Sequence, residues 1–588
     1  MAKSKEGDEI INKDVIRAHA LENAINHKGM AANGSVLNAL FAEGLQKSQI
    51  KEIMSILNEI VEHVNALDIE KQKIEFEKIK EKMSKREVRI GLPPLPEAEE
   101  GKVVMRIAPF PSGPLHIGNT RQLILNDEYT KMYKGKLLLV MDDTIGSEEK
   151  PIEPEMYKLI PESVEWLGVK YDKKIIYKSE RLEIYYKYAQ EMLEKGYLYV
   201  CSCSQDSFHD LKIKGIDCSC RHLPKEEQIK RWKKMFDHKT PPGTFVVRLK
   251  TSMQDPDPAF RDRPMFRISD REHAKVKKKY RVWPLLEFSW AIDDHLLGIT
   301  HIVRGIELMM ETQTEKFIWD LFGWFHPQTI HTGLFQIEGV KLSKSKGSKE
   351  VRSGEYIGWN DPRLWSLQSL RDRGFRPEAI REFILGMGIT KTNSLVAVDV
   401  LYALNRRYIE NSPRLFFVQD PQRIHITGCP DFSTVIPLHP SENLGDREIK
   451  TKQDFFIPLE DAEMMKDANY RLIHLLNFKS TQVSRIKPRD FSFVSKNPDK
   501  TLNTKYIQWL PADDDSIDGN VPAEIVMPDG STVKGLGEKA VSKIKVGETA
   551  QFERVGFVRL NKKIKSKEKS NKKSGAGKEI FEFWFAHP

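Results

Sequence analysis

The chain has 588 residues, with 93 Lys and Arg against 84 Asp and Glu and a formal net charge of +9. That length exceeds what one hydrophobic core usually serves, so three or more domains are expected, each able to bury its own apolar interior. No apolar run is long enough to span a bilayer and Met1 to Asp8 lacks a secretory apolar segment, so no membrane association is expected and the cytoplasm is the default compartment. The small net charge alone argues only weakly for a nucleic-acid partner.

Up to about Leu95, apolar residues recur at helical spacing, in Val36, Leu37, Leu40 and Phe41 and in Ile53, Met54, Ile56, Leu57, Ile60 and Val61. Glu70 to Arg86 is mostly charged. Gly91-Leu92-Pro93-Pro94-Leu95-Pro96 then breaks any helix and predicts an extended linker.

From Lys102 the pattern alternates. Strand-like Val103-Val104-Met105-Arg106-Ile107 enters the turn Pro111-Ser112-Gly113-Pro114-Leu115-His116-Ile117-Gly118-Asn119, and a helix follows through Leu123, Ile124 and Tyr129. Leu137 to Met141 predicts a second strand, Met156 to Leu167 a helix, Ile175 to Tyr177 a strand and Leu182 to Lys195 a helix. Such alternation implies a parallel doubly wound sheet with its ligand at the carboxyl ends of the strands, where His116 and Asp142 fall. Glycines in the strand–turn–helix let a nucleotide approach the backbone, and the N-terminus of the helix favours phosphate, to which His116 can donate. Far downstream, Lys341-Leu342-Ser343-Lys344-Ser345 supplies Lys341 and Lys344, able to neutralise charge as it moves from an α-phosphate onto pyrophosphate. Each motif alone is weak; together, in this order, they predict an ATP site.

The stretch from about Cys201 to Arg281 interrupts the alternation. It holds Cys201-Ser202-Cys203 and Cys218-Ser219-Cys220, the basic run Lys230-Arg231-Trp232-Lys233-Lys234 and strand-like Thr244 to Lys250. Two Cys-x-Cys pairs can converge on one tetrahedral zinc, with reduced, unmetallated thiols as the competing reading and disulfides disfavoured in a cytosolic chain. Four protein ligands would make the metal structural. Cys429, beside Gly428 and Pro430, reads as a small buried hydrophobe. The sheet is expected to resume near Trp283, helix to return from Tyr356 to Leu415, and short β runs such as Glu524 to Met527 and Gly556 to Leu560 to build barrels. The basic run Asn561 to Lys573 either tracks a phosphate backbone or forms a solvated loop between two strands, the latter favoured.

The two signature motifs resemble the HIGH and KMSKS sequences of class I aminoacyl-tRNA synthetases. Arg106 to Gly113, Met141-Asp142-Asp143-Thr144, Trp166-Leu167-Gly168-Val169, Asp293 to Gly298, Thr300 to Gly305 and Gly358 to Arg363 resemble the glutamyl/glutaminyl branch, specifically glutamyl-tRNA synthetases of the archaeal type, from about Lys102 to Pro588. The resemblance implies a multidomain α/β plus β architecture. Its parts are a helical extension and linker (1–98), a Rossmann-type parallel-sheet catalytic domain (99–200 and 283–350) split by an insertion holding the tRNA acceptor end and the four cysteines (201–282), a helical connective domain (351–414) and a β-barrel anticodon-binding region (415–588). The extension would dock tRNA or a partner protein, or only add stability.

The implied reaction is attack of a glutamate carboxylate on the α-phosphorus of ATP, with Mg²⁺ balancing the pyrophosphate, then transfer of the glutamyl group to the 3′ end of tRNA(Glu). Whether tRNA(Gln) is also a substrate stays open. A glutaminyl enzyme is the nearest alternative, and a tRNA-binding protein that has lost activation a further one. The resemblance assigns Pro109, Gly113, His116, Gly118, Asn119, Lys341, Ser343 and Lys344 to ATP, with His116, Lys341 and Lys344 catalytic, and implies structural Zn²⁺ at Cys201, Cys203, Cys218 and Cys220. It gives Arg106 to the distal carboxylate of the substrate, Asp142 to its ammonium group and Arg304 as a second ligand. For Asp142-Asp143 a turn or helix cap competes, and for Arg304 a surface ion pair. The chain departs from the family pattern at Asn119, where relatives often have histidine, and at Val140, Leu286 and Trp290 in the amino-acid pocket.

Overall fold

The computed structural model describes residues 12–27, 29–43, 45, 49–83, 91–145, 150–340, 344–482, 489–512, 519–565 and 579–588, without the side chains of residues 38, 42, 344–346 and 348. It divides into two units, Met1–Ile90 and Gly91–Pro588. Among the described residues no helix is long and apolar enough to cross a membrane.

The first unit is helical: α1 (Lys13–Asn26), α2 (Asn33–Ala42), α3 (Ile50–Asn65) and α4 (Ile69–Ile79). Asn12 caps α1 and Asp68 caps α4, each side chain accepting a backbone N–H two or three residues on. Ile16, Leu21, Leu40, Leu57 and Val61 share its core. The charged stretch after Glu70 is anchored by Gln72, fully buried in α4, whose amide donates to the carbonyls of Gly29, Val64 and Leu67.

In the second unit β1 (Val104–Ile107) pairs parallel with β2 (Lys136–Met141), and β2 with β3 (Ile176–Tyr177). Strand β2 is buried at every position but its first, as a parallel strand covered on both faces must be. The crossovers carry α5 (Ile117–Met132) and α6 (Met156–Trp166), and α7 (Leu182–Glu194) follows β3.

The insertion builds a sheet of its own. Strands β4 (Leu198–Cys201), β5 (Val246–Leu249), β6 (Pro264–Ile268) and β7 (Val282–Pro284) pair antiparallel in sequence order, with α8 (Gln205–Lys214) and α9 (Lys225–Met235) between the first two. Trp283, expected where the parallel sheet resumes, instead lies in β7 opposite Arg267. Its indole is fully buried. After α10 (Leu286–Leu296), parallel pairing returns in β8 (His301–Gly305) and β9 (Gln328–Thr332). Thr300 joins this pair to β1 by donating its N–H to the Val104 carbonyl.

Helix α11 (Met309–Phe322) links β8 to β9. Strand β10 (Phe335–Ile337), helices α12 (Lys344–Arg352), α13 (Leu367–Arg373) and α14 (Pro377–Gly386), strand β11 (Ser394–Val396) and α15 (Val398–Ile409) follow. Strand β11, in the stretch expected to be helical, pairs parallel with β10.

Beyond Arg414 the chain forms two seven-stranded sheets. In one the outermost strands, Arg414–Leu415 and Phe417–Gln419, are consecutive in the chain; in the other so are Lys505–Ile507 and Leu510–Pro511. A sheet whose two edges are carried by one continuous segment must curl nearly shut, which removes most of its exposed edge. Cys429 is buried in the core of the second sheet. The basic run begins in strand Gly556–Lys565, paired with Glu579–His587; residues 566–578 lie outside the described part.

Candidate active site

The carboxyl ends of β1, β2 and β8 and the start of α5 and α10 surround a cavity of about 310 Å³. Of the residues singled out from sequence, Arg106, Pro109, Asn119, Asp142, Leu286, Trp290 and Arg304 line it. Gly113, His116 and Gly118 belong to the adjoining turn and helix start. Lys341 and Ser343 lie outside the described residues, as does the Lys344 side chain; the Lys344 backbone opens α12.

His116 is the N-cap of α5. Its Nδ1 accepts the Gly118 N–H at 3.0 Å, and its own N–H donates to the Asn119 side chain at 3.1 Å, which completes a capping box. With Nδ1 accepting, a neutral ring carries its proton on Nε2, the tautomer needed to donate to a phosphate. The amide at Asn119 is thus used in holding the loop.

The pocket cations are not bare. Arg106 is 5% exposed and binds Asp294 in bidentate fashion, its Nη2 at 2.8 Å from the carboxylate and its Nε on the other oxygen. Its Nη1 has no hydrogen-bond partner among the described residues. Arg304, equally buried, is bidentate to Glu315 at 2.7 and 3.1 Å and donates to Thr312. It is therefore an ion-paired residue as one reading held, though inside the cavity rather than on the surface. Burial pushes the Glu315 carboxyl above its usual range, opposed by Arg304.

The acidic pair divides its roles. Asp143 accepts from Ser179 N–H, Ser179 Oγ and Tyr157 Oη, so it is the structural member of the two. Asp142 faces the cavity, tied through its N–H to the Pro109 carbonyl, and its Oδ1 lies 3.1 Å from Lys178 Nζ.

The sequence gives no site role to Lys178, Glu307 or Glu315, and none to Asp294 beyond its place in the segment Asp293 to Gly298. Lys178 directly follows β3, at a carboxyl strand end, so the rule that located His116 and Asp142 would have found it. Glu307 approaches the backbone of Gly305 so closely that a Cβ there would come within 2.2 Å of its carboxylate, which would have to turn away to admit one. Trp290 contacts both cations, with the Arg106 guanidinium 3.5 Å and the Lys178 ammonium 3.4 Å from its ring centroid. Two groups cannot occupy the same position over one face, so the indole is sandwiched between them.

In the insertion, Cys201 ends β4, Cys203 follows, and Cys218 and Cys220 lie at a short 3₁₀ turn. The four Sγ atoms lie within 4.8 Å of one another, and Cys201 and Cys218 are 3.9 Å apart. That is far beyond a disulfide bond, and near the roughly 3.8 Å edge of a tetrahedron with thiolates about 2.3 Å from zinc. Ser202 N–H and Arg231 Nη1 donate to Cys220 Sγ, and Cys203 N–H to Cys201 Sγ, which suits thiolate charge. These donors fit a Cys₄ metal site.

Residues 102–411 match the family model for the catalytic domain of tRNA synthetases class I (E and Q), and residues 412–492 and 506–561 match two models for the anti-codon binding domain of the same class. The fold agrees with that class: a parallel-sheet domain followed by nearly closed β-sheets. The chain is 42% identical to a glutamate--tRNA ligase from Pyrococcus abyssi over 560 residues, which cover 92% of this chain and 96% of that protein. It is 43% identical to the Pyrococcus horikoshii glutamate--tRNA ligase and 38% to that of Methanocaldococcus jannaschii, with 92% of this chain and 96% of each relative covered. The chain belongs to the archaeal glutamate--tRNA ligase family of class I tRNA synthetases.

Proposed function

We propose that this protein activates glutamate with ATP as glutamyl-adenylate and transfers the glutamyl group to the 3′-terminal ribose of tRNA(Glu). The observation that carries this reading is the convergence of Arg106, Asp142 and Arg304 on one cavity beside the His116-capped helix. A glutamate has one ammonium and two carboxylates; of the two acids on the cavity wall Asp142 can meet the ammonium while Glu307 packs against Gly305, and two guanidiniums face the carboxylates. No side-chain nucleophile is required, because phosphoryl transfer depends on positioning and charge stabilisation.

His116 Nε2–H and the N–H groups at the start of α5 bind ATP phosphate, together with Pro109, Gly113, Gly118, Asn119 and Ser343. Lys341 and Lys344 stabilise the leaving pyrophosphate, whose charge Mg²⁺ balances. Cys201, Cys203, Cys218 and Cys220 hold a structural zinc that stiffens residues 201–282 for the acceptor end, and the nearly closed sheets after residue 414 take the anticodon. The cytoplasm, where tRNA is charged and thiols stay reduced, is the working compartment.

The test is tRNA-dependent pyrophosphate exchange with glutamate, with glutamine and with no amino acid. Exchange specific to glutamate is expected. Exchange with glutamine alone would make this a glutaminyl enzyme, and none with either a tRNA-binding protein without activation. Charging assays on purified tRNA(Glu) and tRNA(Gln) then decide the acceptor.

A further inference from the structure

We propose that Lys178 is a positioning residue for the substrate ammonium group and acts through Asp142; the proposal rests on the amino-acid pocket described above. Lys178 is fully buried and does not line the cavity, so it is no substrate ligand. Its ammonium is held from the α10 side by Ser289 Oγ at 2.8 Å and by the indole of Trp290. Ser289 is itself anchored to the carbonyls of Leu285 and Leu286. The ammonium lies 3.1 Å from Asp142 Oδ1, close enough for an ion pair though off the line of a good hydrogen bond.

Asp142 therefore has a cavity on one side and a fixed cation on the other. A buried carboxylate without a counter-charge is unstable, and removing one partner of a buried pair is strongly destabilising. Lys178 supplies that charge while the pocket is empty and holds the carboxylate for an incoming ammonium. Burial pulls the Lys178 pKa down, while Asp142 and Asp293 oppose the pull. Trp290 keeps this cation on the opposite face from Arg106, so the two positive groups serve different ends of the ligand.

The readout separates ligands with and without an ammonium. In tRNA-dependent pyrophosphate exchange, Lys178→Met is expected to raise the KM for glutamate roughly 30-fold or more, the scale of a lost buried charge contact. The inhibition constant of glutarate, which has both carboxylates but no ammonium, and the KM for ATP should stay within about threefold. Lys178→Gln, which keeps an N–H donor in the same space, should recover part of the loss and serves as well if the Met variant folds poorly. Adding Lys178→Met to Asp142→Asn should cost little more, because residues acting through one another are non-additive. Equal losses for glutamate and glutarate, or an unchanged glutamate KM, would overturn the proposal. A wild-type protein without glutamate-dependent exchange would overturn the functional reading itself, a result visible before any variant is made.

Discussion

His116 and Ser366 form an isolated antiparallel β-bridge, in which Ile117 N–H donates to the Trp365 carbonyl at 3.1 Å and Leu367 N–H to the Leu115 carbonyl at 2.8 Å. Ser366 is also the N-cap of α13, accepting the Ser369 N–H. At the other end of that helix, Arg373 donates to the carbonyls of Phe585 and Ala586 at 3.1 and 2.9 Å. One short helix thus ties the loop at His116 to the final strand of a nearly closed sheet. Arg373 is fully buried without a carboxylate partner among the described residues, and burial pushes it down to about 10.

Arg373→Ala is expected to lower the apparent unfolding midpoint by roughly 5–10 °C, since two buried carbonyls lose their donor and a cavity opens. Scanning calorimetry measures this directly. A shift below about 2 °C would mean that the helix and strand stay docked without the arginine.

The same junction carries a pH dependence. His587 Nε2 is paired with the Asn405 amide nitrogen at 3.1 Å and its Nδ1 with the Pro588 carbonyl at 3.0 Å, a pattern only the neutral ring satisfies. Burial pushes its pKa from an ordinary 6.5 down to about 4. The unfolded chain therefore binds the proton more readily between those values. Stability from this group is complete above pH 6.5 and is lost as pH falls towards 4, by about 3 kcal/mol at most. His587→Asn should flatten that part of a Tm–pH profile; an unchanged slope would remove His587 as its cause.

For substrate selection, Arg106→Leu is expected to abolish glutamate activation while ATP binding changes little. The free Nη1 is lost from the pocket, and Asp294 is left buried without its cation, a loss of about 3–5 kcal/mol. Arg106→Leu with Asp294→Leu removes the orphaned charge, so it should regain fold stability without regaining activity. A folded single variant that still used glutamate at near wild-type kcat/KM would take Arg106 out of the pocket and leave Arg304 as its principal cation.

One zinc per chain is expected by elemental analysis of protein purified under reducing conditions, and Cys203→Ser or Cys218→Ser should release it. A closed thiolate site contributes directly to local folding, so the variants should also loosen residues 201–282 to proteolysis and weaken acceptor-end binding. Metal-free wild-type protein with an intact insertion would return the four cysteines to plain thiols.

The sequence by itself determined what depends on local order. The strand–turn–helix around His116 was legible because glycine, proline and a shift of apolar period from two to 3.6 mark it in adjacent residues. The cysteine cluster was legible because thiol pairs have few other uses. Tertiary structure decided whatever depends on partners distant in the chain. Arg106 meets Asp294, Arg304 at the end of β8 meets Glu315 in α11, and Lys178 meets Asp142 and Trp290, and no period in the sequence encodes such meetings. Trp283 reads as a strand residue in either sheet; only its register with Arg267 assigns it to the antiparallel one. Closure of the C-terminal sheets likewise follows from which strands become neighbours. Secondary structure is written in neighbouring residues, whereas the charge state and free valences of a buried pocket are settled by whichever groups the fold brings within a few ångströms.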